Sequence, residues 1–311
     1  MKKTFNLLII LFLYLVTVPT NVISLGAFTE PLLKDFQISR QTLSLLYLSS
    51  TLIVFLLLFL IKTRCSLKKI LITIGIFYQL PVFIPSSTTL IFSIIVLQWL
   101  GQGWLVELCR ILLLHPSIKI PYGTAVGLLE ATGTIAIFLC PFFFLFLLKT
   151  FTWKTIFLFL GILYIGLASL IPSYTYTTEH LPILNILDWK FLISNLLIYT
   201  PVILASGFFF HLEACCRVFH LSIDILNNCA WQQGIGIVIF QILFGRLWKC
   251  NGLTAYIFLA LLLTSQIFWF FNLFTFSPTT YLITTILGWS FFGILINAFW
   301  QFLYPKNPEQ K

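Results

Sequence analysis

Apolar runs of about 20 residues, the length a helix needs to cross the hydrocarbon core of a bilayer, recur along the whole chain between short polar joints. They lie near residues 5–27, 42–61, 70–86, 88–114, 123–147, 154–172, 191–212, 226–245, 253–272 and 280–302. In lipid every backbone N–H and C=O must find its partner inside the protein, so runs of this length predict helices rather than strands. The expected architecture is an all-α polytopic membrane protein with about ten transmembrane helices.

The polar joints carry a repeat. From Leu25 to Thr51 an apolar helix ends, a charged corner with Glu30, Lys34, Asp35 and Arg40 follows, and a second apolar helix begins at Leu43. Ser39 stands where an N-cap hydroxyl accepts a bond from a first-turn N–H. The passage returns from Gly207 to Trp231: Gly26 answers Gly207, and Phe36-Gln37-Ile38-Ser39 answers Phe219-His220-Leu221-Ser222, at an offset of 181 to 183. Gly101-Gln102-Gly103 likewise answers the stretch from Gly288 to Gly293 at an offset of 187. A constant offset between similar units signals duplication, and a duplicated membrane chain suggests a transporter. The polar, proline-containing joint 173–190 then divides a six-helix bundle (1–172) from a four-helix bundle (191–311) and serves as a cytoplasmic linker.

Composition agrees with this picture and narrows it. Of 311 residues 59% are hydrophobic and 9% charged, with a mean hydropathy of +1.02, whereas a soluble domain carries roughly 25% charged residues. The net charge of +9 is distributed by side. With the N-terminus inside, twelve Lys and Arg fall on the cytoplasmic side, five outside, and Arg110 within a span. By the positive-inside rule both termini are cytoplasmic, in the cell inner (cytoplasmic) membrane. The charge is therefore a topology signal and predicts no nucleic-acid partner. The first apolar run lacks a small-x-small cleavage site and is expected to remain as a span. The seven cysteines show no metal spacing and mostly fall within spans, as small apolar fillers.

The corner at Gly26–Ser44, the run Trp99-Leu100-Gly101-Gln102-Gly103, the glycines 123, 127 and 133 followed by Pro141, and Phe151-Thr152-Trp153-Lys154 together resemble the major facilitator superfamily of secondary transporters. Within it the corner is most similar to the branch of monocarboxylate porters and oxalate–formate antiporters. The resemblance implies two six-helix bundles that rock about a central site. Two family features differ here. The loop from Leu60 to Lys69 keeps only the basic pair Lys68-Lys69, and Lys249 stands at the acidic position of its second-half copy. Aligned at the repeat offset, the second half is expected to be C-terminally short, lacking counterparts of the fifth and sixth helices. The resemblance also implies that the first, fourth, seventh and tenth spans line the cavity. Their polar positions are Tyr14, Thr17, Asn21 and Ser24; Trp99, Gly103, Glu107 and Arg110; Asn195, Tyr199 and Ser206; and Thr285, Trp289, Gly293 and Asn297.

Three charges lie inside spans, where each costs several kcal/mol unless it faces a partner or water. Glu107 and Arg110, at i and i+3, share a helix face. Either Arg110 takes an anionic substrate group and Glu107 a proton, or the two neutralise one another while Arg110 reaches the headgroups. Glu130 is a candidate for an interhelical ion pair or a proton site. Gly123, Gly127 and Ala131 form a small-residue face suited to close helix packing. The corner residues His211, Glu213, Cys215, Cys216, His220 and Asp224 match no metal-site spacing and read as polar corner residues. No metal, cofactor or enzymatic chemistry is expected. The substrate or ion-binding candidates are thus Asn21, Glu107, Arg110, Glu130, Asn195, Tyr199 and Asn297. The expected function is secondary active or facilitative transport of a small organic solute, such as a monocarboxylate, by alternating access with coupling to protons. The alternatives are a non-transporting remnant or membrane interaction protein, and a ten-span drug/metabolite-type carrier, whose five-plus-five repeat the observed offset disfavours.

Overall fold

The structure, a computed structural model, describes residues 7–60, 65–113, 119–170, 175–176, 223–248, 252–272 and 278–303. Every predicted span that falls among them is helical. The first is broken: α1 (Leu7–Thr17) leads through a 3-10 turn, Val18–Thr20, into α2 (Val22–Gly26). There follow α3 (Thr29–Phe36), α4 (Arg40–Leu60), α5 (Leu67–Phe83) and α6 (Ser87–Leu97). A π-helical segment, Gln98–Leu105, joins α6 to α7 (Val106–Leu113). The long helices α8 (Tyr122–Leu147) and α9 (Trp153–Leu170) come next. Then follow α10 (Ile223–Leu247), α11 (Gly252–Asn272) and α12 (Pro278–Leu303). Among the described residues, the strand content is one antiparallel pairing of Cys65–Ser66 with Thr175–Tyr176.

Four of these segments are long and apolar enough to cross a membrane: Leu7–Gly26, Ser87–Arg110, Tyr122–Leu147 and Trp153–Leu170. Shorter apolar stretches run through α10, α11 and α12. Large apolar side chains such as Leu8, Phe146, Ile162 and Leu170 are exposed. An exposed apolar coat on helices of this length identifies a membrane-embedded protein.

Hydroxyl caps start three of the helices. Ser39 Oγ accepts from Thr42 N–H (3.0 Å), Ser86 Oγ from Thr89 N–H (3.1 Å) and Thr152 Oγ1 from Thr155 N–H (3.3 Å). Each cap is worth about 1 kcal/mol. The N-cap expected at Ser39 is present. The charged corner forms the amphipathic α3, which buries Leu32 and Phe36 and ends on Gln37 in the left-handed region (φ 49°). Glu30 pairs with Arg40, and the Asp35 carboxylate accepts from Trp153 Nε1 (2.9 Å) and meets Lys154 Nζ (3.3 Å).

The chain divides into two compact units. One comprises residues 12–111 and 136–181. Its core is aromatic: Phe28 lies 5.0 Å from both Phe144 and Phe157, and Tyr78 stacks on Tyr164. Helices α5 and α9 cross backbone to backbone. A Cβ on Gly75 would stand 2.7 Å from the Gly161 carbonyl, and one on Gly161 2.7 Å from the Gly75 carbonyl.

The other unit comprises residues 1–11, 112–135 and 182–311. Its buried cluster joins Trp248, Phe258, Leu262, Phe291, Ile294 and Leu295. The small-residue face of α8 packs as its sequence predicts. A Cβ on Gly127 would stand 2.6 Å from the Gln241 carbonyl, and one on Gly245 2.8 Å from Gly127 Cα, while Ala131 is buried. Such close approach lets backbones pack without side chains between them, the usual mode of association where lipid supplies no hydrophobic drive.

Candidate functional site

In the first unit the break in the first span meets the π-segment. Pro19 has no N–H to continue the α-helical ladder, and the Asn21 N–H turns to the Val18 carbonyl (2.9 Å). Asn21 itself is extended (ψ 143°). The Thr17 carbonyl, which a regular helix would give to Asn21, keeps only the Thr20 N–H of the 3-10 turn as a backbone partner. Two side chains take it up: Thr20 Oγ1 donates at 2.6 Å and Gln102 Nε2 at 2.8 Å. The Val16 carbonyl in turn accepts from Tyr164 on α9. Backbone freed inside a membrane protein must be satisfied by its neighbours, and here α9 and the π-segment do this.

The same contact orders the amides. Gln102 Oε1 accepts from Asn21 Nδ2 at 3.1 Å, so Gln102 grips both a backbone carbonyl and the candidate residue Asn21. Gly101 allows the approach, since a Cβ there would overlap the Thr20 side chain. A few residues back, Gln98 is buried, and its Oε1 accepts from Ser50 Oγ (2.9 Å) and Thr51 Oγ1 (3.3 Å) of α4. Three buried donors on the π-segment, Gln98 Nε2, Trp99 Nε1 and Trp104 Nε1, have no partner among the described residues. Buried N–H groups in folded proteins are nearly always paired, so this segment presents hydrogen-bond donors that a ligand with acceptor oxygens would satisfy. π-Segments inside α-helices also mark functional sites with unusual frequency.

In the second unit a polar node joins α8, α10 and α12. Thr134 Oγ1 donates to Gln241 Oε1 at 2.9 Å. The amide end of Gln241 and the carboxylate of Glu130 flank Gly293: a Cβ there would meet Gln241 Nε2 at 3.0 Å and Glu130 Oε2 at 3.1 Å. Gln241 is buried and Glu130 half-buried.

Of the residues expected from sequence, Asn21 falls in the broken-helix site and Glu130 in the node. Arg110 on α7 is buried, at 6% exposed. The side chains of Glu107 and Asn297, and all of Asn195 and Tyr199, lie outside the described residues, as do Ser206, the corner residues 211–220 and nearly all of the joint 173–190. Metal-ligating clusters are absent among the described residues. Gln98, Gln102, Thr20, Thr134 and Gln241 were not among the expected site residues. Pro19 inside an apolar run was the available signal for Gln102 and Thr20, because a proline there obliges neighbours to take up a carbonyl. Gln241 stood out only as an amide within a span.

Comparison of the chain with models of known protein families, and with curated proteins, gives no match.

Proposed function

We propose that the chain is a secondary transporter, active or facilitative, for a small organic solute bearing acceptor oxygens, a monocarboxylate being the representative case. The reading takes the fold as facilitator-like, six helices plus four, working by alternating access in the cytoplasmic membrane with both termini inside. One observation carries it: the broken first helix against the π-segment, with the Asn21–Gln102 amide pair at their contact and three N–H donors of the same segment unsatisfied among the described residues. Transporters place substrate sites at interrupted helices, where irregular backbone lines a cavity. A segment rich in unpartnered donors favours carboxylate oxygens, since charge-assisted bonds are roughly twice as strong as neutral ones.

The sidedness is consistent with two contacts. Asp35 meets Lys154, joining two loops assigned to the outer face, and Cys65–Ser66 pairs with Thr175–Tyr176, joining two assigned to the inner face. The test is uptake of labelled monocarboxylates into liposomes containing the purified protein, with and without an imposed proton gradient. Saturable uptake that falls at least tenfold in Gln98→Leu and Asn21→Ala is expected. No uptake of any organic anion would leave a non-transporting membrane protein as the better reading.

A further inference from the structure

We infer that α10 and α12 hold between them a buried site for a neutral hydroxyl oxygen, that of a water molecule or of a small alcohol, bound by Gln233 and Thr285. The site involves residues of the second unit alone. It goes beyond the transport reading and holds with or without it.

Three contacts fix how the two helices lie. The Ile286 side chain fills the place of a Cβ on Gly236, Ser290 Oγ donates to the Ile237 carbonyl (3.4 Å), and a Cβ on Gly293 would meet Gln241 Nε2 at 3.0 Å. The paired positions differ by 50, 53 and 52 in number. Both helices rise about 1.5 Å per residue, so a nearly constant difference means that they run parallel and in step. The same difference sets Gln233 level with Thr285. Gln233 lies one turn before Ile237, where Ser290 touches α10, and Thr285 adjoins Ile286. Both residues are 2% exposed. Neither Gln233 Nε2 nor Thr285 Oγ1 has a partner among the described residues. Buried polar groups are nearly always paired, and one guest at this level pairs both.

The chemistry of the two groups selects the guest. A carboxamide nitrogen carries two N–H donors and offers no lone pair, so it takes an acceptor oxygen and turns away a cation. The Thr285 hydroxyl both donates and accepts. A guest hydroxyl meets both groups: its oxygen accepts from Gln233 Nε2, and its hydrogen goes to Thr285 Oγ1. Charge argues against a carboxylate. On α10, Arg246 is exposed and thirteen residues beyond Gln233, and the Asp224 side chain lies outside the described residues. Helices α11 and α12 contain no charged residue, and the Glu130 carboxyl beside Gly293 supplies no positive charge. An anion at this depth without a cation is costly, whereas a neutral oxygen is not. Ile286 seated on Gly236 bounds the site on its C-terminal side, so the guest is small.

The experiment is NMR of the full chain in detergent micelles, isotope-labelled on its glutamine side-chain nitrogens, with and without dilute methanol as the alcohol probe. The Gln233 amide signals are those that Gln233→Leu removes. Rotating-frame cross-peaks, whose sign separates contact from proton exchange, should join these signals to water protons or to the methanol methyl. Water peaks that methanol leaves unchanged identify the guest as water; methyl peaks identify an alcohol. Thr285→Val should weaken the guest peaks and lower the unfolding midpoint, because the guest loses one of its two partners. Adding Gln233→Leu to Thr285→Val should raise that midpoint again, since an apolar pair needs no guest. Cross-peaks from Gln233 to protein protons alone would overturn the proposal. So would a Thr285→Val chain that melts at or above wild type, the result of removing a hydroxyl that binds nothing. If Gln233→Leu fails to fold, Gln233→Asn identifies the signals by displacing them, and the Thr285→Val melt decides.

Discussion

The break in the first helix makes a quantitative prediction, because one carbonyl is served by two donors. Thr17 is buried, and its carbonyl receives Thr20 Oγ1 at 2.6 Å and Gln102 Nε2 at 2.8 Å. Gln102→Leu removes the second donor and also the acceptor of Asn21 Nδ2. Polar bonds between membrane helices average ~0.6 kcal/mol and reach ~1.7, so losing two should cost about 1 kcal/mol. Thr20→Val preserves shape and removes one donor, at a cost of about 0.6 kcal/mol. Either variant alone leaves the carbonyl one side-chain donor. The double variant still leaves it the Thr20 N–H of the 3-10 turn, so the carbonyl is never bare. The double loss should therefore exceed the sum of the singles by less than about 1 kcal/mol. Equilibrium unfolding of the wild type and three variants in detergent micelles, titrated with a denaturing detergent, measures this directly. An excess above about 1 kcal/mol, the cost of a buried carbonyl left bare, would refute the account of how the break is held.

Two further outcomes follow from the packing and the corner. Gly245→Ala sets a Cβ 2.5 Å from the Gly123 carbonyl and 2.8 Å from Gly127 Cα, both rigid backbone, so α8 and α10 must part. The overpacking cost of ~1–3 kcal/mol should outweigh the ~1 kcal/mol gained in helix propensity, and a thermal melt of Gly245→Ala at or above wild type would contradict the close crossing. At the corner, the Trp153 indole N–H holds Asp35 below the ordinary carboxylate range; desolvation opposes this, while Lys154 and Lys34 reinforce it. A depressed folded value means that the stabilisation is complete above the unfolded value of about 3.9 and is lost as pH falls through the folded one. Asp35→Asn should melt below wild type at neutral pH, with the difference closing in acid; a pH-independent difference would remove the ionised contact.

Sequence alone determined the solvent and the elements. Runs of twenty apolar residues have one stable form in lipid, so the helices and their rough ends were legible, as were the cap at Ser39, the corner from Glu30 to Arg40 and the small-residue face of Gly123, Gly127 and Ala131. These are local properties: period, length, and a hydroxyl or a missing Cβ at a given place. Intramembrane charges were legible for the same reason, since Glu130 is conspicuous against an apolar background. Only the tertiary structure decided what each polar group meets. Asn21 and Gln102 stand 81 residues apart and Thr134 and Gln241 stand 107 apart, and no local pattern pairs them. Regular spacing placed Tyr14, Thr17, Asn21 and Ser24 on one stripe, but Pro19 breaks the helix that defines the stripe. The carbonyl it frees is satisfied by whichever helix packs there. A missing hydrogen bond announces itself in the sequence; the partner that replaces it is set by packing.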